Sequence, residues 1–110
     1  MKLDESRFYG RVWKTMRRIP RGKVTTYGEL ARALHTKAYR AVGGACRHNP
    51  YAPEVPCHRV VATGGRIGGF GGQTKGKNIR QKVAMLKKEG VRVKDGRVAD
   101  FERVLFRFKS

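Results

Sequence analysis

Acidic residues are scarce in this chain: 8 aspartates and glutamates stand against 26 lysines and arginines in 110 residues, a formal net charge of +18. The cations run along the whole length rather than gathering in a tail. That distribution favours a phosphate-rich partner, with nucleic acid ahead of a ribosome-like scaffold, an anionic membrane or a general solubility adaptation. Cysteine is almost as sparse. Cys46 and Cys57 alone do not establish a disulfide framework, and an unsecreted protein keeps both reduced. Long apolar runs are missing: none approaches the roughly 18 residues of a membrane span, and the charged opening lacks the apolar centre of a secretion signal. The expectation is a protein that stays inside the cell and has no membrane partner. Its 39% hydrophobic residues support one small domain, residues 1–110, with a modest core.

Metal and nucleotide signatures are lacking too. Cys46 with His48 and Cys57 with His58 offer four ligand types, but neither pair has structural-zinc spacing, and adjacent Cys and His rarely reach one tetrahedral ion. Cys46 reads instead as a small apolar helix residue. The pairs Gly64-Gly65, Gly68-Gly69 and Gly71-Gly72 fit neither the GxxxxGK[ST] loop nor a strand-linked GxGxxG. They suit a close-approach loop at one side of a pocket, or a simple glycine-rich turn. No metal and no cofactor is expected.

Periodicity supplies the elements. Phe8, Val12, Trp13 and Met16 recur at helical spacing and predict a helix over Ser6 to Met16, with Arg7, Arg11, Lys14 and Arg18 left in solvent. Pro20-Arg21-Gly22 breaks the pattern before a short strand around Lys23 to Thr25. Thr26 and Glu29 have capping-box spacing, with Leu30, Ala31 and Leu34 beyond them. After a break near His35-Thr36, a small-residue helix covers Arg40 to Arg47, so helix, turn and helix form a pair able to read DNA. Gly43-Gly44-Ala45 would weaken that helix by on the order of 1 kcal/mol per glycine. Two readings stay open for them: close backbone approach to DNA, or tight packing against the first helix.

Asn49-Pro50 ends the helix, and Val60-Val61 continues as a short strand. Asn78 to Glu89 reads as another helix with Ile79, Val83 and Leu86 on its apolar face. Lys82 counts there among the basic residues available for phosphate contact or solvation. Val91-Arg92-Val93 and Val98 through Phe101 flank an Asp95-Gly96 hairpin signal, and Val104, Leu105, Phe106 and Phe108 complete the core. The fold class is mainly α, a small winged helix-turn-helix-like domain with short β elements.

Chemistry centres on Pro56-Cys57-His58-Arg59-Val60. A thiolate is the attacking form of cysteine, and nearby cations or a proton relay favour it. Neighbours on an extended strand point to opposite faces, however, so His58 needs a turn or a bridging water to share a proton with Cys57.

Taken together, Gly22-Lys23-Val24-Thr25-Thr26-Tyr27, the run from Arg40 through Ala41, Gly43, Gly44 and Arg47 to Asn49-Pro50, Pro56 to Val61, and Glu89-Gly90 resemble the O6-alkylguanine-DNA alkyltransferase (methylated-DNA–protein-cysteine methyltransferase) family. The resemblance extends from about Phe8 to Phe106. It implies a single-turnover suicide reaction on duplex DNA containing O6-alkylguanine, in which Cys57 takes the alkyl group irreversibly. His58 would accept the Cys57 proton through water, Glu89 would orient His58, and Asn49 would hold the turn. Arg40 would fill the space left by the flipped nucleotide, and Tyr27 would assist rotation and hydrogen-bond the guanine. Ala41, Gly43, Gly44 and Arg47 complete the implied DNA contacts. Backbone at Cys57, Val60 and Gly71, with Phe70 as an apolar wall, would form the guanine pocket. Phe70 departs from the family's more usual tyrosine, and Gly69 and Gly71 leave room for larger alkyl groups. The expectation is a single alkyltransferase domain, without the variable N-terminal domain common in longer relatives.

The expectation is a monomer in the cytoplasm, associated with the nucleoid when bound to DNA, or in the nucleus of a eukaryotic host. The main alternative is an alkyltransferase-like protein that binds lesions without removing the alkyl group. Such relatives usually replace the reactive cysteine, so Cys57 argues for transfer. A basic structural nucleic-acid-binding protein explains the charge but not the combination of Tyr27, Arg40 and Cys57.

Overall fold

The computed structural model describes residues 3–68 and 76–108, with side chains of the first helix from Arg7 onward. Helix α1 spans Leu3–Met16 and lies across α2, Tyr27–Ala33, and α3, Tyr39–Arg47. Val12 and Met16 of α1 meet Leu30 and Ala31 of α2 and Val42, Ala45 and Cys46 of α3, all buried in one cluster. This is the face that the helical spacing anticipates. Trp13 adds its indole N–H, which donates to the Ala45 carbonyl at 2.8 Å.

The capping box at α2 is half formed. Thr26 Oγ1 accepts from the Glu29 amide at 3.0 Å, but the Glu29 carboxylate turns to Arg32, at 3.0 Å from its Nη2. An arginine three residues on outcompetes the backbone amide for that carboxylate because the bond is charge-assisted. Helix α2 then ends with its amides folded back: His35 adopts φ +55°, the His35 N–H bonds the Arg32 carbonyl and the Thr36 N–H bonds the Ala31 carbonyl, each at 3.0 Å. This turn sets the angle between α2 and α3.

Strand β1 is Thr25–Thr26, and it pairs in parallel with β2, Val60–Val61. Successive residues face opposite ways, so Val60 joins the α1–α3 cluster while Val61 joins a second one with Val24, Ile67, Leu86, Val91, Val98 and Val104. Helix α4, Lys77–Lys88, covers that second cluster with Leu86. The wing is β3, Val93–Lys94, and β4, Arg97–Val98, joined through Asp95 and Gly96, both at positive φ. Its register pairs Val93 with Val98.

Two expectations need correction here. Phe101 does not end a strand; it opens a short helix, α5, Phe101–Val104, which presses on Gly65. A Cβ at Gly65 would stand 2.8 Å from Phe101 Cγ, and φ there is +88°. The close approach made by Gly65 is therefore to this helix rather than to a ligand. The chain then returns beside β1, where the Phe106 N–H bonds the Val24 carbonyl at 2.7 Å and Phe108 is buried under α1 and α2. Lys82 is the second correction: it is 0% exposed, not solvated.

Candidate functional site

Cys57 opens a one-turn 3₁₀ segment, Cys57–Arg59. The Cys57 N–H bonds the Val55 carbonyl and the Arg59 N–H the Pro56 carbonyl, both at 2.9 Å. A turn replaces the extended geometry in which neighbours face oppositely. Cys57 stays half-buried, while His58, 2% exposed, points inward. Asn49 ties down the approach: its side-chain N–H donates to the Val55 carbonyl at 2.7 Å, and its Oδ1 accepts from the Tyr51 amide at 2.9 Å. Asn49 thus acts on the loop, with no bond to Cys57 or His58 among the described residues.

The end of α4 delivers the third group. Gly90 adopts φ +85°, the Gly90 and Val91 amides close the helix on Lys87 and Leu86, and Glu89 is left at the cap facing the Cys57 turn. Glu89 Oε2 lies 3.0 Å from His58 Nε2. Arg59 grips the same carboxylate with a two-pronged contact, Nε to Oε1 at 2.9 Å and Nη2 to Oε2 at 2.8 Å, and its Nη1 donates to the Ile19 carbonyl at 2.8 Å.

Burial by itself raises the Glu89 pKa, but the hydrogen bonds from Arg59 and His58 overcome it and hold it at about 2. Burial lowers the His58 pKa, outweighing the raising effect of Glu89. His58 is therefore neutral at neutral pH. A carboxylate only accepts, so Nε2 carries the proton and Nδ1 keeps its lone pair. That nitrogen is the one left free to act as a base.

Two further side chains frame the thiol. Tyr27 starts α2, packs against the first core cluster, and reaches the Gly68 loop, where a ring carbon lies 3.7 Å from a Cβ placed on Gly68. Burial, with added repulsion from Cys46 and Cys57, raises its pKa far above the usual phenol value, so it remains a hydroxyl donor. Lys82 reaches under β2, with Nζ donating to the Val60 carbonyl at 2.8 Å and to the Ile67 carbonyl at 2.5 Å. Burial lowers its pKa to about 8, against the raising influence of Cys46 and Cys57. The two thiols differ sharply. Cys46 is in the core with its Sγ 3.8 Å from Met16 Sδ, and burial pushes its pKa to about 12.

By sequence Lys82 counts as a basic residue for phosphate contact or solvation, and Arg59 carries no separate role. The signal for Lys82 was present: it falls at i+3 from Ile79 and four residues before Leu86, on the apolar face itself. A lysine there is core by position. Arg59 lay inside the motif but had no sequence mark of its partner 30 residues away. Val60 has both backbone groups engaged, its N–H by the Cys57 carbonyl and its carbonyl by Lys82.

The expected DNA-contact residues divide by helix face. Arg40 and Arg47 are exposed, and Ala41 and Gly43 are half-buried. Gly44 is a correction: it is buried, and a Cβ there would stand 2.6 Å from Tyr9 Oη. Its missing side chain admits α1. At Gly43 a Cβ would meet nothing within 4 Å, so that position is open. Phe70 and Gly71, with Gly69 and Gly72, lie outside the described residues.

Residues 7–91 match the profile of the 6-O-methylguanine DNA methyltransferase DNA-binding domain. The chain belongs to this family. Methylated-DNA–protein-cysteine methyltransferase of Mycobacterium bovis is 44% identical over 90 residues, covering 81% of this chain and 52% of that protein. The Thermococcus kodakarensis protein of the same name is 49% identical over 80 residues, covering 73% and 41%. The chain spans about half the length of these curated relatives. Mycobacterium tuberculosis OGT, solved in complex with DNA, superposes with a TM-score of 0.67 at 44% identity, over 74% of this chain and 48% of that one. S. pombe ATL, also solved with DNA, matches family architecture end to end: TM-score 0.75, 30% identity, 98% of this chain and 100% of that one.

Proposed function

We propose that the protein repairs DNA by transferring the alkyl group of O6-alkylguanine in duplex DNA, methyl above all, irreversibly to Cys57. The observation that carries this reading is a thiol on the same turn as a neutral histidine whose far nitrogen is bound to the Glu89 carboxylate. The lesion leaves the base stack to reach it, since an intact duplex hides the O6 substituent. Cys57 Sγ loses its proton, through water, to His58 Nδ1, and Glu89, held in place by Arg59, steadies the resulting charge. Sγ then bonds the alkyl carbon as the carbon–O6 bond breaks. The electron pair stays on the guanine, where the Tyr27 hydroxyl donates a hydrogen bond to the developing charge. The thioether is stable, so each molecule acts once.

Arg40 and Arg47, on the exposed face of α3, engage the duplex, with Arg40 filling the place of the extruded nucleotide. Lys82 pins the Val60 and Ile67 carbonyls and so holds the segment beside Cys57 in one shape. Asn49 positions the loop from the other side.

A second reading, lesion recognition without transfer, draws support from the end-to-end likeness to S. pombe ATL, a related S. pombe structure of which holds damaged DNA containing O6-carboxymethylguanine. Cys57 favours transfer. The two separate in one experiment: incubate the protein with a duplex containing O6-methylguanine and analyse it by intact and peptide mass spectrometry. Transfer adds about 14 Da to Cys57 and restores guanine. Tight lesion binding with an unmodified Cys57 overturns transfer and leaves recognition. Cys57→Ser should abolish the added mass while retaining affinity for duplex DNA.

A further inference from the structure

We infer that Tyr39 is a base-stacking residue of the α3 face, set beside Arg40 to cover a nucleobase surface bared when the lesion leaves the helix. The inference rests on the proposed extrusion of a damaged base. Among the described residues, two large hydrophobic side chains are exposed, Tyr39 at 56% and Tyr51 at 51%. Tyr51 has a neighbour, since its ring meets Trp13 edge-on at 5.5 Å. Tyr39 packs on no other ring among those residues, and water surrounds a surface that an aromatic side chain ordinarily buries.

Its position is held firmly nonetheless. The Thr36 amide is tied to Ala31 at 3.0 Å, the Thr36 hydroxyl accepts from the Ala38 amide at 3.1 Å, and the Tyr39 amide bonds the Lys37 carbonyl at 2.9 Å. This turn feeds the ring into the first position of α3. Helical spacing then sets Tyr39 and Arg40 on the stripe of Gly43 and Arg47, turned away from buried Val42 and Ala45. Gly43, one turn on, adds no side chain, and the space above it is empty.

The surrounding charge specifies the partner. Lys37 and Arg40 are exposed close to Tyr39 in the chain, Arg47 is exposed further along the same helix, and the first turn of α3 has no acidic residue. A flat apolar face ringed by cations over an open floor fits a polyanion that also presents π faces. An unstacked base in DNA does both, and stacking on an aromatic side chain tolerates any base. An apolar protein patch would not explain the cations. Arg40 supplies hydrogen-bond donors to the vacated space; Tyr39 supplies the stacking surface that a guanidinium beside it leaves uncovered.

The test compares wild type with Tyr39→Ala and Tyr39→Phe on a duplex carrying O6-methylguanine next to a fluorescent base analogue, and on the undamaged duplex at matched salt. Tyr39→Ala should weaken lesion binding about tenfold and reduce the fluorescence change. Its affinity for undamaged duplex and the salt slope should stay as in wild type, because no charge is removed. Tyr39→Phe should behave as wild type. Wild-type lesion preference left intact in a folded Tyr39→Ala overturns the stacking role alone, and a Phe variant as weak as Ala replaces stacking with a hydroxyl contact and overturns it too. A wild-type protein without lesion preference or extrusion overturns the repair reading, and this inference with it.

Discussion

The two faces of the site are built on opposite plans. Around Cys57, the charged groups of the described residues that meet His58 and β2 are tied inward: Glu89 is bound by His58 and Arg59, Arg59 also holds Ile19, and Lys82 holds Val60 and Ile67. On the exposed face of α3, Tyr39 and Arg40 form no side-chain hydrogen bond or ion pair among the described residues, and Gly43 leaves open space. The difference teaches which property each half needs. A proton relay depends on fixed distances between groups whose charge states burial has set. A surface that meets a long polyanion gains more by keeping its cations free, since any internal partner would have to be given up on contact.

The sharpest way to break this contrast is to loosen the relay. Glu89→Gln removes the charge that Arg59 and His58 share, leaving half-buried Arg59 without its counter-ion. We expect a loss of about 3 kcal/mol in chemical denaturation, and single-turnover transfer slowed by on the order of 100-fold. Duplex affinity should hardly change. The pH dependence carries the same signature. The Glu89 pKa is depressed from 4.5 to about 2, so its contribution is in full force above the ordinary value and is lost as pH falls towards about 2. Acid titration of wild type should show that loss and Glu89→Gln should lack it.

Lys82→Met keeps bulk but strips the Val60 and Ile67 carbonyls of a donor, which should cost about 2 kcal/mol by denaturation. Its pH effect has the same sign as that of Glu89 but a different origin, burial of the charged form. Folded Lys82 has a pKa of about 8 against 10.5 for the free group, so between these values the unfolded chain binds more protons and this group's contribution to stability rises with pH. The variant should lose that rise.

Adjacent glycines sharpen the comparison at lower cost. Gly44→Ala drives a methyl group at Tyr9 and should destabilise by about 1–2 kcal/mol. Gly43→Ala meets no atom and should stabilise α3 by up to about 1 kcal/mol, while weakening lesion binding if the duplex approaches there. Thermal melts and a binding titration of both variants separate packing from contact. The smallest effect is expected at His35, whose φ of +55° suits glycine better: His35→Gly should shift stability by under about 1 kcal/mol, upwards, leaving transfer unchanged.

Much of this molecule is written locally. The spacing of Val12 and Met16, the Thr26 cap, the Asp95-Gly96 turn and the Gly90 stop are decided by a few neighbouring residues each, because helical period, capping and positive φ are short-range effects. The Cys57-His58 pair with its surrounding motifs likewise pointed to a nucleophile in a basic domain. Lys82 follows the same period: its place on the apolar face buries it despite its charge.

What the chain alone could not decide is what lies near what. Nothing local states that Glu89 returns to His58 and Arg59, that Gly44 receives Tyr9 while Gly43 stays open, or that Tyr39 ends without a ring to pack on among the described residues. The buried relay comes from α4 ending beside the Cys57 turn and from burial itself, which lowers His58 below its ordinary pKa while hydrogen bonds hold Glu89 ionised. Sequence determined the groups, because their chemistry is intrinsic. Tertiary structure decided their protonation and their partners, because desolvation and hydrogen bonding exist only once distant segments pack together.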